Sequence, residues 1–163
     1  MAANGNQLWR GALAGLVGGL AASFVMAQLS IRAQQFVSSL AGASGDTHED
    51  DAHDPKVKLA EKIEGHDPSP EVAAAAKPLV HYGFGAGMGA IYGALAALRP
   101  EIAAGWGLPF GAAVWLAADE TGLKVFHLAR PNGQPTSAHA LSLGTHLAFG
   151  AVTDLIRREL AAR

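Results

Sequence analysis

Four apolar runs, separated by polar connectors of very unequal length, set the pattern of this chain. The first, Gly11 to Ile31, has only Ser23, Gln28 and Ser30 as polar residues. The second, Leu79 to Leu98, holds a single ionisable group, His81. The third runs from Ile102 to Ala118 and ends in the acid pair Asp119–Glu120. The fourth, Ala138 to Ile156, is broken by His139, Ser142, Thr145, His146 and Asp154. A helix needs about 20 mostly apolar residues to cross a hydrocarbon core roughly 30 Å thick. The first two runs meet that length. The third reaches it by borrowing Gly122 and Leu123, and the fourth needs its neighbours. Runs one and three lack the polar stripe that a helix half-exposed to water carries.

The connectors sharpen the reading. Run two is framed by Lys77–Pro78 and Arg99–Pro100, where proline starts or stops a helix and the charges sit at interface depth. A link of a few residues joins runs two and three, which predicts an antiparallel hairpin. The connector from run three to run four carries the turn signal "RPNGQP". The stretch 32–78 is polar, and nine of the fourteen acids lie between Asp46 and Glu71. Within it, "PKVKLAEKIE" has the spacing of a short amphipathic helix, and its surroundings have the composition of a partly disordered insert. Three segments follow: 1–31 with the first transmembrane helix, 32–78 as the acidic insert, and 79–163 with three further helices and a short basic tail.

Small residues recur at four-residue spacing. Gly11, Gly15 and Gly19 continue into Ser23 and Ala27, and Gly85, Gly89 and Gly93 continue into Ala97. Lipid gives helices no hydrophobic reason to associate, so close backbone packing has to supply the attraction. The two series predict glycine-rich packing faces within the bundle or between copies of the chain. "GFGAGMGAIYG" also fits G-x-G-x-x-A through Gly85, Gly87 and Ala90, but the strand and the βαβ unit that a dinucleotide loop needs are missing.

Composition agrees with this picture. Only 16% of the 163 residues are charged, against about 25% in an ordinary soluble domain. The net charge of −2 gives no basis for nucleic-acid binding. The absence of cysteine removes disulfides and thiolate sites. Arg10 and the following run resemble a signal peptide ending after Ala27, but three more apolar runs favour a retained anchor. Weighting the charges nearest the helix ends, above all Arg157–Arg158, places both termini in the cytoplasm.

With four crossings, His81, Asp119, Glu120 and His139 share one interface. His146 lies on the face of His139, roughly 10 Å deeper. Ionisable groups at that depth usually face a bundle interior. Carboxylates and imidazoles together exchange protons between about pH 4 and 7, so these five residues form a candidate proton or cation cluster. Interfacial anchoring explains the same residues without any site. The insert histidines His48, His53 and His66 lack a defined metal spacing, so a metal site is left unassigned. No nucleophile motif, zincin motif or P-loop is present.

Finally, "HYGFGAGMGAIYGAL", "GLPFGAAVWLAADE" and "SAHALSLGTHLAFGAVTDLIRREL" together resemble the YagU-like family of small bacterial inner-membrane proteins of unknown function. The resemblance covers residues 79 to 160. It implies a multi-pass protein of the bacterial cytoplasmic membrane and supplies no catalytic residues.

The expectation is an all-α, polytopic membrane protein, an antiparallel bundle of about four transmembrane helices. Its expected role is non-enzymatic, without a cofactor, and responsive to pH or a cation through the cluster. The lipid bilayer and further copies of the chain are the expected partners. The alternative is a transporter or channel subunit, and a soluble helical domain is the remaining reading.

Overall fold

The computed structural model describes residues 5–40, 69–122 and 136–162. Among them it is all-helical. Helix α1 spans Gly5–Leu40, α2 Pro70–Leu98, α3 Leu108–Trp115 and α4 Thr136–Ala161. A 3-10 turn, Pro100–Ala103, follows α2, and a π-helical segment, Leu116–Gly122, extends α3. The acidic insert, with its expected amphipathic helix and three histidines, and the "RPNGQP" connector lie outside the described residues.

Helix α1 is longer than the apolar run that predicts it. From Arg32 to Leu40 the chain holds neither glycine nor proline, so the helix continues through polar residues of adequate propensity. Helix α2 also begins earlier than expected, inside the stretch assigned to the insert. Ser69 caps it by accepting a hydrogen bond from the Val72 amide at 3.4 Å, and Pro70 occupies the first turn. Pro78, expected to start the helix, instead lies within it. An interior proline costs one backbone hydrogen bond, and the preceding "EVAAAAK" is strong helix-forming sequence. The other end matches expectation: Arg99 before Pro100 is extended (φ −137°, ψ 92°) and stops the helix.

Run three departs most from expectation. It is not one helix from Ile102. Gly105, Trp106 and Gly107 all take positive φ, at 78°, 58° and 76°. Three left-handed residues in succession end the 3-10 turn and reset the chain direction before α3. The apolar helix that remains, Leu108–Asp119, is short.

Among the described residues one helix, Gly5–Phe36, is long and apolar enough to cross a membrane, and a third of its most apolar window (33%) is buried. In α2 the many near-neutral glycines, together with His81, Tyr82 and Tyr92, dilute the hydropathy.

The packing is set by backbone contact. A Cβ built on Gly11 would stand 2.5 Å from the Gly93 carbonyl oxygen. Those built on Gly15 and Gly19 would collide with the carbonyls of Gly89 and Gly85; from α2, Gly93 and Gly89 meet the carbonyls of Gly11 and Gly15, and Gly85 meets the Ser23 hydroxyl. Thus α1 and α2 run antiparallel with their backbones touching at three levels. A similar seam joins α3 to α4, where Gly107 and Gly111 meet the carbonyls of Gly150 and His146. Gly18 closes α1 against α4, where a Cβ would stand 2.7 Å from the Thr153 carbonyl oxygen. The N-terminal end of α1 and the C-terminal ends of α2 and α4 therefore lie together, and α3 runs away from them.

Side chains fill what the glycines leave. Ala22, Val114 and Phe149 form one buried cluster, and Tyr92, Ala96 and Ala103 another. Phe110 joins them, stacked on Tyr92 at 4.3 Å between ring centroids and tilted towards Phe149 at 5.9 Å.

Paired glycine substitutions separate seam from surface. Gly87 has no atom within 4 Å of a built Cβ, whereas at Gly89 the Gly15 carbonyl blocks it. Gly87→Ala should leave stability unchanged or raise it by up to about 1 kcal/mol. Gly89→Ala should lower it by about 1–3 kcal/mol. Thermal unfolding followed by circular dichroism compares the two.

Candidate functional site

The buried part of α4 carries an unusual amount of polarity. Thr145, His146, Thr153 and Asp154 are all buried, as is Ser23 on α1. Ser23 and Thr153 return their hydroxyl protons to carbonyls one turn back, Gly19 at 2.8 Å and Phe149 at 2.7 Å. Thr145 does likewise, to the Ser142 carbonyl at 2.9 Å. These residues are thereby satisfied inside their own helices. Two groups remain that link separate elements or concentrate charge.

The first group is at the far end of the bundle, where α3 passes into the π-helical segment. Asp119 is the fourth residue of that segment and reaches α4. The Ser142 hydroxyl donates to its carboxylate Oδ2 in a short hydrogen bond. His146, one turn along α4 and 7% exposed, places Nδ1 2.9 Å from the Ser142 carbonyl oxygen. A carbonyl only accepts, so Nδ1 carries a proton in this contact. Nδ1 lies 3.5 Å from the Ser142 hydroxyl oxygen, at the far limit of hydrogen bonding. Ser142 therefore ties a carboxylate on one element to an imidazole on another. The order differs from that of a nucleophilic triad, in which the imidazole stands between serine and acid. Here the carboxylate accepts the serine's hydrogen bond directly.

Five residues were expected to share this site. Asp119 and His146 are brought together, through a serine not counted among them. His139 lies half-buried a turn before Ser142. His81 serves another contact: its Nε2–H donates to the Ser23 carbonyl at 2.9 Å, joining α2 to α1, and its ring meets Tyr82 edge-on at 5.1 Å. Among the described residues no hydrogen bond links His81 to Asp119 or His146. The backbone of Glu120 belongs to the π-helical segment, but its side chain lies outside the described residues. No group of three metal-ligating side chains converges among the described residues. The six expected packing glycines, Gly11, Gly15, Gly19, Gly85, Gly89 and Gly93, stand opposite one another in the α1–α2 seam.

The second group lies at the other end. Asp154 is fully buried, with 0% exposure. Arg157 donates to its Oδ1 from Nε at 3.0 Å and Nη2 at 2.7 Å, and Arg158 donates from Nε to Oδ2 at 2.7 Å. Arg158 also donates from Nη2 to the Ala103 carbonyl at 2.6 Å, which ties the α2–α3 connection to α4. Each guanidinium lies by an aromatic ring, Arg157 at 5.7 Å from the Tyr92 centroid and Arg158 at 4.8 Å from Trp106. The Tyr92 hydroxyl is buried near Asp154 without meeting hydrogen-bond geometry. In the sequence this group shows only as charges ending run four. The signal was an acid three and four residues before two arginines, the spacing of helical ion pairs.

No protein-family model, curated protein or solved structure matches the chain.

The two groups should differ sharply in cost. Asp154→Ala leaves two guanidiniums without their carboxylate and should lower stability by about 3–5 kcal/mol. Ser142→Ala removes one hydrogen bond to a charged group and should cost about 1.5–3 kcal/mol. Thermal or denaturant unfolding of the two variants checks the ranking.

Proposed function

We propose that this chain is a small integral membrane protein, crossing the bilayer several times, with a proton-responsive polar group at one end of its bundle. One observation carries the membrane reading: large apolar side chains point outward while polar ones are buried. Val17 and Phe24 on α1, Phe84 and Ile91 on α2, Leu116 after α3 and Leu155 on α4 are each about half exposed. Inside, beside Tyr92, Val114 and Phe149, are glycine, alanine, serine, threonine, His146 and the Asp154 ion pairs. A water-soluble bundle gains stability by the opposite arrangement. In lipid, small residues at helix contacts and polar groups turned inward are the favourable choice. The exposure of most of the α1 apolar window also argues against a soluble core helix.

The resemblance of residues 79–160 to the YagU-like family supports placing the chain in the bacterial inner membrane. In this reading both termini are cytoplasmic, and Asp119, Ser142 and His146 lie towards the opposite face. The role is non-enzymatic. Ser142 couples a carboxylate to an imidazole across two elements, so protonation of either changes the contact between the π-helical segment and α4. A π-helical turn is frequently found at functional sites. Without three converging metal ligands among the described residues, a proton suits this group better than a metal ion. A proton pathway is the second reading. The alignment of half-buried Ser142 with buried His146, Thr153 and Asp154 along α4 favours it.

Alkaline carbonate washing of membranes from expressing cells tests the first claim. The chain should stay in the pellet, and its release into the supernatant would sink the membrane reading. For the second claim, Trp115 ends α3 directly before the π-helical segment and reports on it. Its fluorescence should change between about pH 5 and 7.5 and lose that change in His146→Gln. A flat profile in the unmodified chain would end the proton-response reading. Proton flux in liposomes carrying the purified chain would favour the pathway reading instead.

A further inference from the structure

We propose that the pocket between the α2–α3 connection and the end of α4 binds a phosphate group, supplied by the headgroup of an anionic phospholipid. The pocket is open, about 400 Å³, and lined by Ala96, Pro100, Ala103, Ala104, Arg157 and Arg158. Four of its six walls are small or apolar, and the other two are guanidiniums. Asp154, which holds both arginines, lies behind them with its side chain 1% exposed. No carboxylate is among the lining residues, so the two guanidiniums are the charged walls of the pocket.

The arginines are fixed and still have donors to give. Arg157 spends Nε and Nη2 on Asp154, and Arg158 spends Nε on Asp154 and Nη2 on the Ala103 carbonyl. Among the described residues the Nη1 group of each makes no hydrogen bond. Two immobilised guanidiniums with spare N–H groups on one cavity suit the several acceptor oxygens of a phosphate. Holding both side chains in place before the ligand arrives also removes most of the ordering cost.

The surroundings select a lipid as the source. Leu98 and Ile102, both exposed, flank the pocket in sequence on either side of Pro100, and Trp106 is 65% exposed with Arg158 over its ring. Such an apolar rim with an outward tryptophan is typical of the membrane–water interface. An occupant with an anionic head and apolar chains satisfies both parts. Free inorganic phosphate presents the same oxygens and would satisfy the arginines alone. This inference rests on the proposed membrane setting, which the alkaline wash decides independently.

The test uses the purified full chain in neutral detergent. Thermal unfolding is followed with added phosphatidylglycerol, phosphatidylcholine or inorganic phosphate, and lipid retention is read by native mass spectrometry. Phosphatidylglycerol should raise the midpoint more than phosphatidylcholine and be retained about tenfold more strongly. Arg158→Gln should abolish that preference. Because that change also strips a partner from Asp154, Ala104→Glu provides a second variant. Ala104 is exposed and lines the pocket, so a carboxylate there obstructs it and competes for the spare N–H groups without removing either arginine or Asp154. The preference should vanish in it at unchanged helical content. A midpoint shift with inorganic phosphate alone, lost in Ala104→Glu, would support the phosphate site and name a soluble occupant. Equal responses to both lipids with none to phosphate, or a preference surviving Ala104→Glu, would overturn the proposal.

Discussion

Backbone-to-backbone contact between α1 and α2 is the constraint from which the rest of the molecule follows. At Gly11–Gly93, Gly15–Gly89 and Gly19–Gly85 there is no room for even one methyl group. Contact this close leaves only small side chains, Ser23 and Ala97, beside the glycines of the seam. The leucines, valines and phenylalanines of these two helices must therefore point elsewhere, and many point outward. The second seam, between α3 and α4 at Gly107, Gly111 and Gly150, imposes the same choice on the other half. Outward apolar surface is thus a direct consequence of a glycine-built interior. The membrane setting proposed for the chain supplies a solvent in which that surface is stable.

The interior polarity fits the same logic. Ser23, Thr145 and Thr153 each bond to a carbonyl of their own helix, so they fill space beside glycine without an unmatched donor. The charged groups sit at opposite ends. Asp154 gathers Arg157 and Arg158 where the chain ends of α1, α2 and α4 meet. Asp119 reaches Ser142 and His146 at the other end. The first group has the character of a structural clasp, because it fixes the α2–α3 connection through Ala103. The second is held by one serine and a π-helical segment, and so has less to keep it in a single arrangement.

Much of the helical plan was legible in the sequence. Runs one and two lie wholly within α1 and α2, because an unbroken apolar stretch with four-residue glycine spacing has few competing interpretations. Where the helices end was less legible. The polar residues after Ile31 and the alanines after Glu71 are good helix formers, yet neither shows an apolar period, so hydropathy is silent on them. Run three misled because its composition is uniformly apolar while Gly105, Trp106 and Gly107 turn the backbone left-handed, a conformational property that hydropathy does not register. Of the candidate cluster, Asp119 and His146 stood out as ionisable groups in apolar runs. Ser142 did not, since a serine inside a helix is ordinary. The Asp154 clasp had a visible i, i+3, i+4 spacing, but arginines ending an apolar run already had an interfacial explanation. His81, equally conspicuous, is used to bind the Ser23 carbonyl across the α1–α2 contact.

The central claim is that glycine seams hold the bundle together and that its outward apolar residues face lipid. The chain has no cysteine, so single cysteines can be introduced and spin-labelled without background. Collision rates of labels at Val17, Phe24 and Ile91, each outward-facing, with oxygen and with a water-soluble nickel chelate report their surroundings in reconstituted vesicles. The account predicts high oxygen and low nickel accessibility at all three, and the reverse order for a label at Glu159. Ready access of the nickel chelate to Phe24 and Ile91 would contradict it, because those residues would then face water.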